Sequence, residues 1–251
     1  MHHWELRQQI IDMCLSMNAN GLNQGTSGNI SARYGDYMLI TPSGIPYDKL
    51  SPGDICRMSL KHDRYEWKGP HKPSSEWHFH RAIMQSRKDY GAVIHTHSTY
   101  ATVLSIAGQN IPACHYMIAA FGGKTVRCAD YATYGTAELS NNILKAMRNR
   151  TACLMANHGM VVAGADLDKT MWAAVELETL SKQYYLAQQL DGMVILPDDE
   201  MARVAEGFKS YGPSQKNEKS AADTNPPTNG AANAESHANS QRPRVNTPRK
   251  L

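Results

Sequence analysis

The sequence lacks any long apolar run. No stretch approaches the ~18 consecutive apolar residues that a membrane-spanning helix needs, so no membrane association is expected. The opening Met1-His2-His3-Trp4-Glu5-Leu6-Arg7 has neither an apolar core nor a cleavage-like site, so no secretory signal is expected either. Cysteine is sparse: five residues, at 14, 56, 114, 128 and 153, odd in number and without Cys-x-x-Cys spacing. That pattern argues against a disulfide framework and fits reduced, small apolar side chains in a cytoplasmic protein. No Gly-x-x-x-x-Gly-Lys-Ser/Thr occurs, which excludes a P-loop, and there is no internal repeat. The net charge of +3 is also misleading, because from Gly212 onward six Lys/Arg stand against three Asp/Glu. Residues 1–211 therefore carry twenty charges of each sign and offer no electrostatic footprint for nucleic acid.

What is present is ordinary globular material, 41% hydrophobic, in a chain of 251 residues that can enclose one sizeable core. Leu6, Ile10, Met13, Cys14 and Met17 form a helical stripe over 4–20. A small-residue turn at 25–31 feeds a strand, with 37–41 as its hairpin partner and 55–60 as a third strand. Lys72-Pro73-Ser74-Ser75-Glu76 predicts a loop entering a serine-capped helix that carries Trp77, His80, Ile83 and Met84. A strand at 92–97 is followed by a helix at 98–107. Thr136 caps a further helix running to Met147. Strands at 152–156 and 160–163 flank the turn Asn157-His158-Gly159. A long helix spans about 166–190, with Leu167, Met171, Val175, Leu180 and Leu186 as apolar positions. Asp198 or Asp199 caps a last helix ending near Phe208. From Gly212 onward Asn, Ala, Pro, Ser and charge dominate, and such a segment cannot bury enough surface to offset its ordering entropy. The expected division is one domain over 1–212 and a disordered polar, basic tail over 213–251.

The chemistry gathers at Ala92-Val93-Ile94-His95-Thr96-His97. In a strand, residues i and i+2 share a face, so His95 and His97 project together. Such a pair is either two solvated loop histidines or half of a metal site. His158 in its turn and Glu76 at a helix entry are further candidates, and three histidines with one carboxylate make a plausible tetrahedral zinc set. Three turns offer donors to an anion: Ser27-Gly28-Asn29, Thr41-Pro42-Ser43-Gly44 and Ser74-Ser75, the last also at a helix N-terminus. Tyr116 and Tyr211 are candidate phenol acids.

These segments resemble the class II aldolase/adducin-head family, most of all its L-fuculose-phosphate aldolases. The resemblance runs through Gly21-Leu-Asn-Gln-Gly-Thr-Ser-Gly-Asn29, Leu39-Ile-Thr-Pro-Ser-Gly-Ile-Pro-Tyr47 and Pro73-Ser-Ser-Glu-Trp77. It continues in His95-Thr-His97, Ile111-Pro-Ala-Cys-His-Tyr-Met-Ile-Ala-Ala120, Asn157-His-Gly159 and Phe208-Lys-Ser-Tyr-Gly212. It implies an α/β/α sandwich around a mainly antiparallel sheet, assembled as a homotetramer with active sites between subunits. It further implies one zinc ion per subunit on Glu76, His95, His97 and His158. The phosphate of a sugar-phosphate substrate would sit among Asn29, Ser43, Gly44, Ser74 and Ser75, with Gly28 shaping the turn. Tyr116 would come from the neighbouring subunit and Tyr211 from the C-terminal end.

The implied reaction is reversible cleavage of L-fuculose 1-phosphate to dihydroxyacetone phosphate and L-lactaldehyde. Breaking the carbon–carbon bond leaves an enediolate that needs an electron sink. With no Schiff-base lysine singled out, a divalent Lewis acid fills that role, and Glu76 carries the proton. Pentulose-5-phosphate 4-epimerases of the same family are the first rival, although their carboxylate ligand is typically aspartate. A dehydratase acting on methylthioribulose phosphate is more distant. The metal-free adducin head, an oligomerisation module, is the rival of a different class.

Overall fold

The computed structural model describes residues 3–61 and 66–208. The expected tail over 213–251 and Tyr211 lie outside the described residues. Eight strands form one sheet: β1 (Asn29–Tyr34), β2 (Tyr37–Ile40), β3 (Cys56–Ser59), β4 (Trp67–Lys68), β5 (Ala92–Thr96), β6 (Cys128–Ala129), β7 (Ala152–Met155) and β8 (Gly159–Gly164). Their spatial order is β4-β3-β2-β1-β5-β8-β7-β6. Every pairing is antiparallel except β6 with β7. Among the described residues six α-helices accompany them: α1 (His3–Ala19), α2 (Trp77–Ser86), α3 (Thr99–Ile106), α4 (Ala137–Ala146), α5 (Leu167–Ala187) and α6 (Asp198–Phe208).

Period-2 alternation sorts the strand residues into two cores. Ile30, Leu39, Ile94, Leu154, Met160 and Val162 face one way, beneath α1, α3, α5 and α6. Met38, Ile40, Val93, Cys153, Met155 and Val161 face the other, beneath α2 and α4. The result is a three-layer α/β/α sandwich whose central strands β5, β7 and β8 are buried on both sides. This explains why they read as continuous apolar runs rather than as alternating ones.

Several local details differ from the sequence expectation. α2 carries no serine cap: Glu76 occupies the N-cap position, and its side chain makes no capping bond. In α5 the buried positions include Thr170, Ala174, Leu177 and Ser181, whereas Val175 and Leu186 are exposed. Small and hydroxylated residues thus take the close approach to the sheet. Asp198 and Asp199 both stand inside the first turn of α6, where carboxylates suit the helix dipole. The two-residue strands β4 and β6 are too short to leave a periodicity.

Helix entries hold the site-bearing segments in place. Thr136 caps α4 by accepting from the Leu139 N–H at 3.2 Å, and Asp166 caps α5 by accepting from the Lys169 N–H at 2.8 Å. The start of α3, just after His97, is capped from another helix. The Glu178 carboxylate of α5 accepts from the Ser98 hydroxyl at 2.7 Å and from the Tyr100 and Ala101 N–H groups at 2.8 and 2.9 Å. A carboxylate there satisfies orphan donors and the dipole together.

Candidate active site

β1 and β5 are adjacent, and Asn29 stands directly across from His95. Asn29 and Ser31 on β1, with Val93 and His95 on β5, share the sheet face covered by α2, so these polar groups meet Glu76 and His80. The His95 Nδ1–H donates to the Met160 carbonyl at 2.8 Å. That bond fixes the tautomer and leaves the Nε2 lone pair for a metal ion. His95 Nε2 lies 3.1 Å from His97 Nε2, and the ligand nitrogens of His95, His97 and His158 all fall within 4.8 Å of one another. Glu76 closes the group, with Oε2 at 3.1 Å from His95 Nε2 and Oε1 at 3.0 Å from His158 Nε2.

The turn that delivers His158 is tight. Asn157 takes a left-handed conformation, φ 54°, and a Cβ on Gly159 would run into the Thr96 carbonyl. Glycine is needed there for β8 to pass β5 closely. At Gly28 a Cβ would lie 2.8 Å from the His95 carbonyl oxygen and 2.9 Å from Asn23 Oδ1. The Gly28 carbonyl also accepts from the Tyr47 hydroxyl, so this turn is pinned against the strand carrying the histidines.

The electrostatics suit a cation. Burial opposes ionisation of Glu76, but His95 and His158 outweigh it and hold the carboxyl far below its usual range. Burial also pulls the His95 ring down, and the neighbouring Glu76 carboxylate more than reverses this. Burial, and then the charges of His95 and His158, push the His97 ring down to about 4, so it is neutral at pH 7. Glu76 Oε1 is buried without a well-aligned hydrogen bond, although His158 Nε2 is close. Three imidazoles and a carboxylate oxygen with spare acceptor capacity are the donor set that zinc takes. The residues present fit the metal.

The group opens into a cleft of about 490 Å³ lined by Glu76, His97, His158, Ser43, Gly44 and Ser75, with Thr26, Ser27, Tyr131, Ala132, Tyr134 and Asn157. A larger hollow of about 610 Å³ at Arg127, Lys145 and Arg148 lacks the histidine cluster. Of the residues in the three anion-candidate turns, Ser27, Ser43, Gly44 and Ser75 reach the cleft. Gly28, Asn29 and Ser74 stand behind it: Ser74 Oγ accepts from the Glu76 N–H at 3.3 Å, and the Asn29 amide donates to Glu76 Oε2 at 2.9 Å. Tyr116 begins a 3-10 turn over Tyr116–Phe121, is half exposed and does not line its own chain's cleft. Sequence reasoning missed Tyr131 and Tyr134, which sit in a loop without periodicity. It also took His80 as one more position of a helical stripe.

The family profile described as the class II aldolase and adducin N-terminal domain matches residues 8–185. The chain belongs to this family. A 5-methylthioribulose-1-phosphate/5-deoxyribulose-1-phosphate aldolase of Rhodospirillum rubrum is 50% identical over 207 residues, spanning 82% of this chain and 92% of that protein. An L-fuculose phosphate aldolase of Escherichia coli K12 is 47% identical over 213 residues, spanning 84% and 98%. A solved L-fuculose 1-phosphate aldolase superposes with a TM-score of 0.77 at 42% identity, covering 82% of this chain and 96% of its own. The protein is thus a member of the class II aldolase lyases. The relatives at this level of identity that are named for methylthioribulose phosphate are themselves named as aldolases. No helix among the described residues is long and apolar enough to cross a membrane.

Proposed function

We propose that the protein is a zinc-dependent aldolase that reversibly cleaves L-fuculose 1-phosphate to dihydroxyacetone phosphate and L-lactaldehyde. The observation that carries this is one cleft joining Glu76, His97 and His158 to the donor-rich Ser43-Gly44 turn and Ser75. Glu76, His95, His97 and His158 would hold the zinc ion, which when bound supplies a Lewis acid for the donor half of the substrate. Ser43, Gly44 and Ser75 hold the phosphate from the cleft, while Gly28, Asn29 and Ser74 keep the turns and Glu76 in place from behind. In cleavage the C4 hydroxyl proton passes by way of the Tyr116 hydroxyl to solvent, the C3–C4 bond breaks with its electron pair remaining on C3, and the proton that C3 then takes comes from solvent through Glu76. Glu76 moves a proton to and from C3, the role for which a carboxylate beside two histidines is suited. Tyr116, standing outside its own cleft, serves the aldehyde oxygen of a neighbouring subunit in a homotetramer. Tyr211 positions the aldehyde.

A second reading takes 5-methylthioribulose 1-phosphate or 5-deoxyribulose 1-phosphate as substrate, favoured by the 50% identical relative that bears those names. Both readings keep the phosphate end and the bond broken, and differ only in the aldehyde. The test is release of dihydroxyacetone phosphate from these three ketose phosphates and L-rhamnulose 1-phosphate, with and without EDTA. Fastest turnover of L-fuculose 1-phosphate, abolished by chelation and restored by zinc, is expected. Fastest turnover of a ribulose derivative selects the second reading. Full activity in EDTA overturns the metal assignment. Absence of both zinc and cleavage leaves the metal-free oligomerisation module.

A further inference from the structure

Behind Glu76, away from the cleft, lies a buried chain of polar side chains. Asn29 Nδ2 donates to Glu76 Oε2 at 2.9 Å, Asn29 Oδ1 lies 2.5 Å from His80 Nε2, and His80 Nδ1 lies 2.7 Å from the Ser31 hydroxyl. His80 and Ser31 are fully buried, and Asn29 is 4% exposed. We propose that His80 is a positioning residue for Glu76, acting through Asn29.

The direction of the chain follows from which groups can donate. An ionised carboxylate only accepts, so Asn29 presents its NH₂ to Glu76. Its carbonyl oxygen then faces His80 Nε2, which must carry the ring proton. Nδ1 is left as an acceptor for the Ser31 O–H. One proton on the ring completes every bond, and burial, pushing the ring down to about 3, keeps it neutral. An Asn amide can turn over, and its neighbours decide which way it stands. Without the His80 donor, only the Glu76 carboxylate holds the amide in this orientation, and Asn29 Oδ1 is left buried without its partner, which loosens the group that positions Glu76. Such outer partners typically shift metal affinity or activity by 10–100-fold. The position of His80 behind Asn29 denies it any contact with substrate.

The inference rests on Glu76 being a metal ligand and proton carrier, so the test reads zinc affinity and a ring tautomer as well as turnover. In His80→Leu, zinc affinity by chelator competition and kcat on whichever ketose phosphate the wild type cleaves are each expected to fall about tenfold or more, with KM little changed. His80→Gln, which keeps an N–H toward Asn29, is expected to restore most of both. In an Asn29→Leu background, His80→Leu is expected to add no further loss. In ¹⁵N-histidine spectra of the wild type, with and without zinc, the His80 ring is expected to be neutral with its proton on Nε2. Wild-type zinc affinity in folded His80→Leu, an undiminished loss in the Asn29→Leu background, failure of His80→Gln to restore function, or a proton on Nδ1 would each overturn the proposal. If His80→Leu does not fold, His80→Gln and the tautomer still decide. If the wild type cleaves none of the ketose phosphates, the functional reading fails, while zinc affinity and tautomer still judge His80.

Discussion

The two faces of the sheet are built from the same strands and do different work. On the side of α1, α3, α5 and α6 the strands present Ile30, Ile94, Leu154, Met160 and Val162, and that core is mostly apolar, with hydroxyl groups such as Thr170 and Ser181 buried in it. On the side of α2 the residues next along those strands are Asn29, Ser31 and His95, all buried, and all committed to one hydrogen-bonded group around Glu76. A fully buried polar side chain is costly unless it is paired. The apolar face therefore holds the sheet rigid, and the other face uses that rigidity to keep four ligand side chains within reach of one another. The switch between these roles takes one residue, from Ile94 to His95.

The largest effect that should separate the faces is Glu76→Gln. Glutamine cannot carry a proton, so kcat is expected to fall about 10³-fold, within the range that general acid–base catalysis supplies. Circular dichroism and gel filtration should remain those of the wild type. Near-normal turnover would remove Glu76 as proton carrier. Ile94→Ala tests the other side. Ile94 is fully exposed to its core and not to solvent, paired in register with Ile30 and Val162. Its truncation is expected to cost about 3 kcal/mol in urea unfolding, from lost transfer energy plus a residual cavity. Zinc affinity of the folded protein should stay within a few-fold of wild type. A loss of zinc affinity as large as the loss of stability would show that the faces are not separable.

The same division explains what the sequence could disclose. Apolar runs and Thr136 before α4 are local signals, and the elements they predict are present with ends shifted by one to three residues. The pair His95 and His97 was visible because two residues on one strand face need no tertiary knowledge. Glu76 and His158 lie 19 and 63 residues from His95 by their numbers, and in residues alone they were candidates without proximity; the family resemblance supplied the link. His80 was hidden because a histidine in a helical stripe looks like any other inward position until Asn29 and Ser31 are placed opposite it. Tyr131 and Tyr134 belong to a loop whose course is set by packing, not by any pattern in its own residues. The absent serine cap of α2 is instructive in the same way. Ser74 does accept a backbone N–H at this entry, but it is that of Glu76, and Glu76, at the N-cap position, turns its carboxylate toward the histidines.

The smallest effect is also the most specific to the polar face, and its sign can be worked out. Burial, followed by the charge of His95, lowers the His80 ring to about 3, against an ordinary value near 6.5, with Glu76 opposing. Between these values the unfolded chain binds a proton that the folded chain refuses, so this group makes stability rise with pH, by at most about 1.4 kcal/mol per unit. The contribution is complete above pH 6.5 and is lost as the pH falls below it. Glu76 and His97, both lowered, act in the same sense, and His95, raised, acts against them, so the wild-type curve alone does not isolate His80. The difference between wild type and His80→Gln does. In EDTA, urea unfolding at pH 5 and at pH 7 should show a steeper loss on acidification for the wild type than for the variant. Parallel curves would mean that His80 already accepts a proton in the folded chain, and that the neutral, directed hydrogen-bond chain behind Glu76 does not exist.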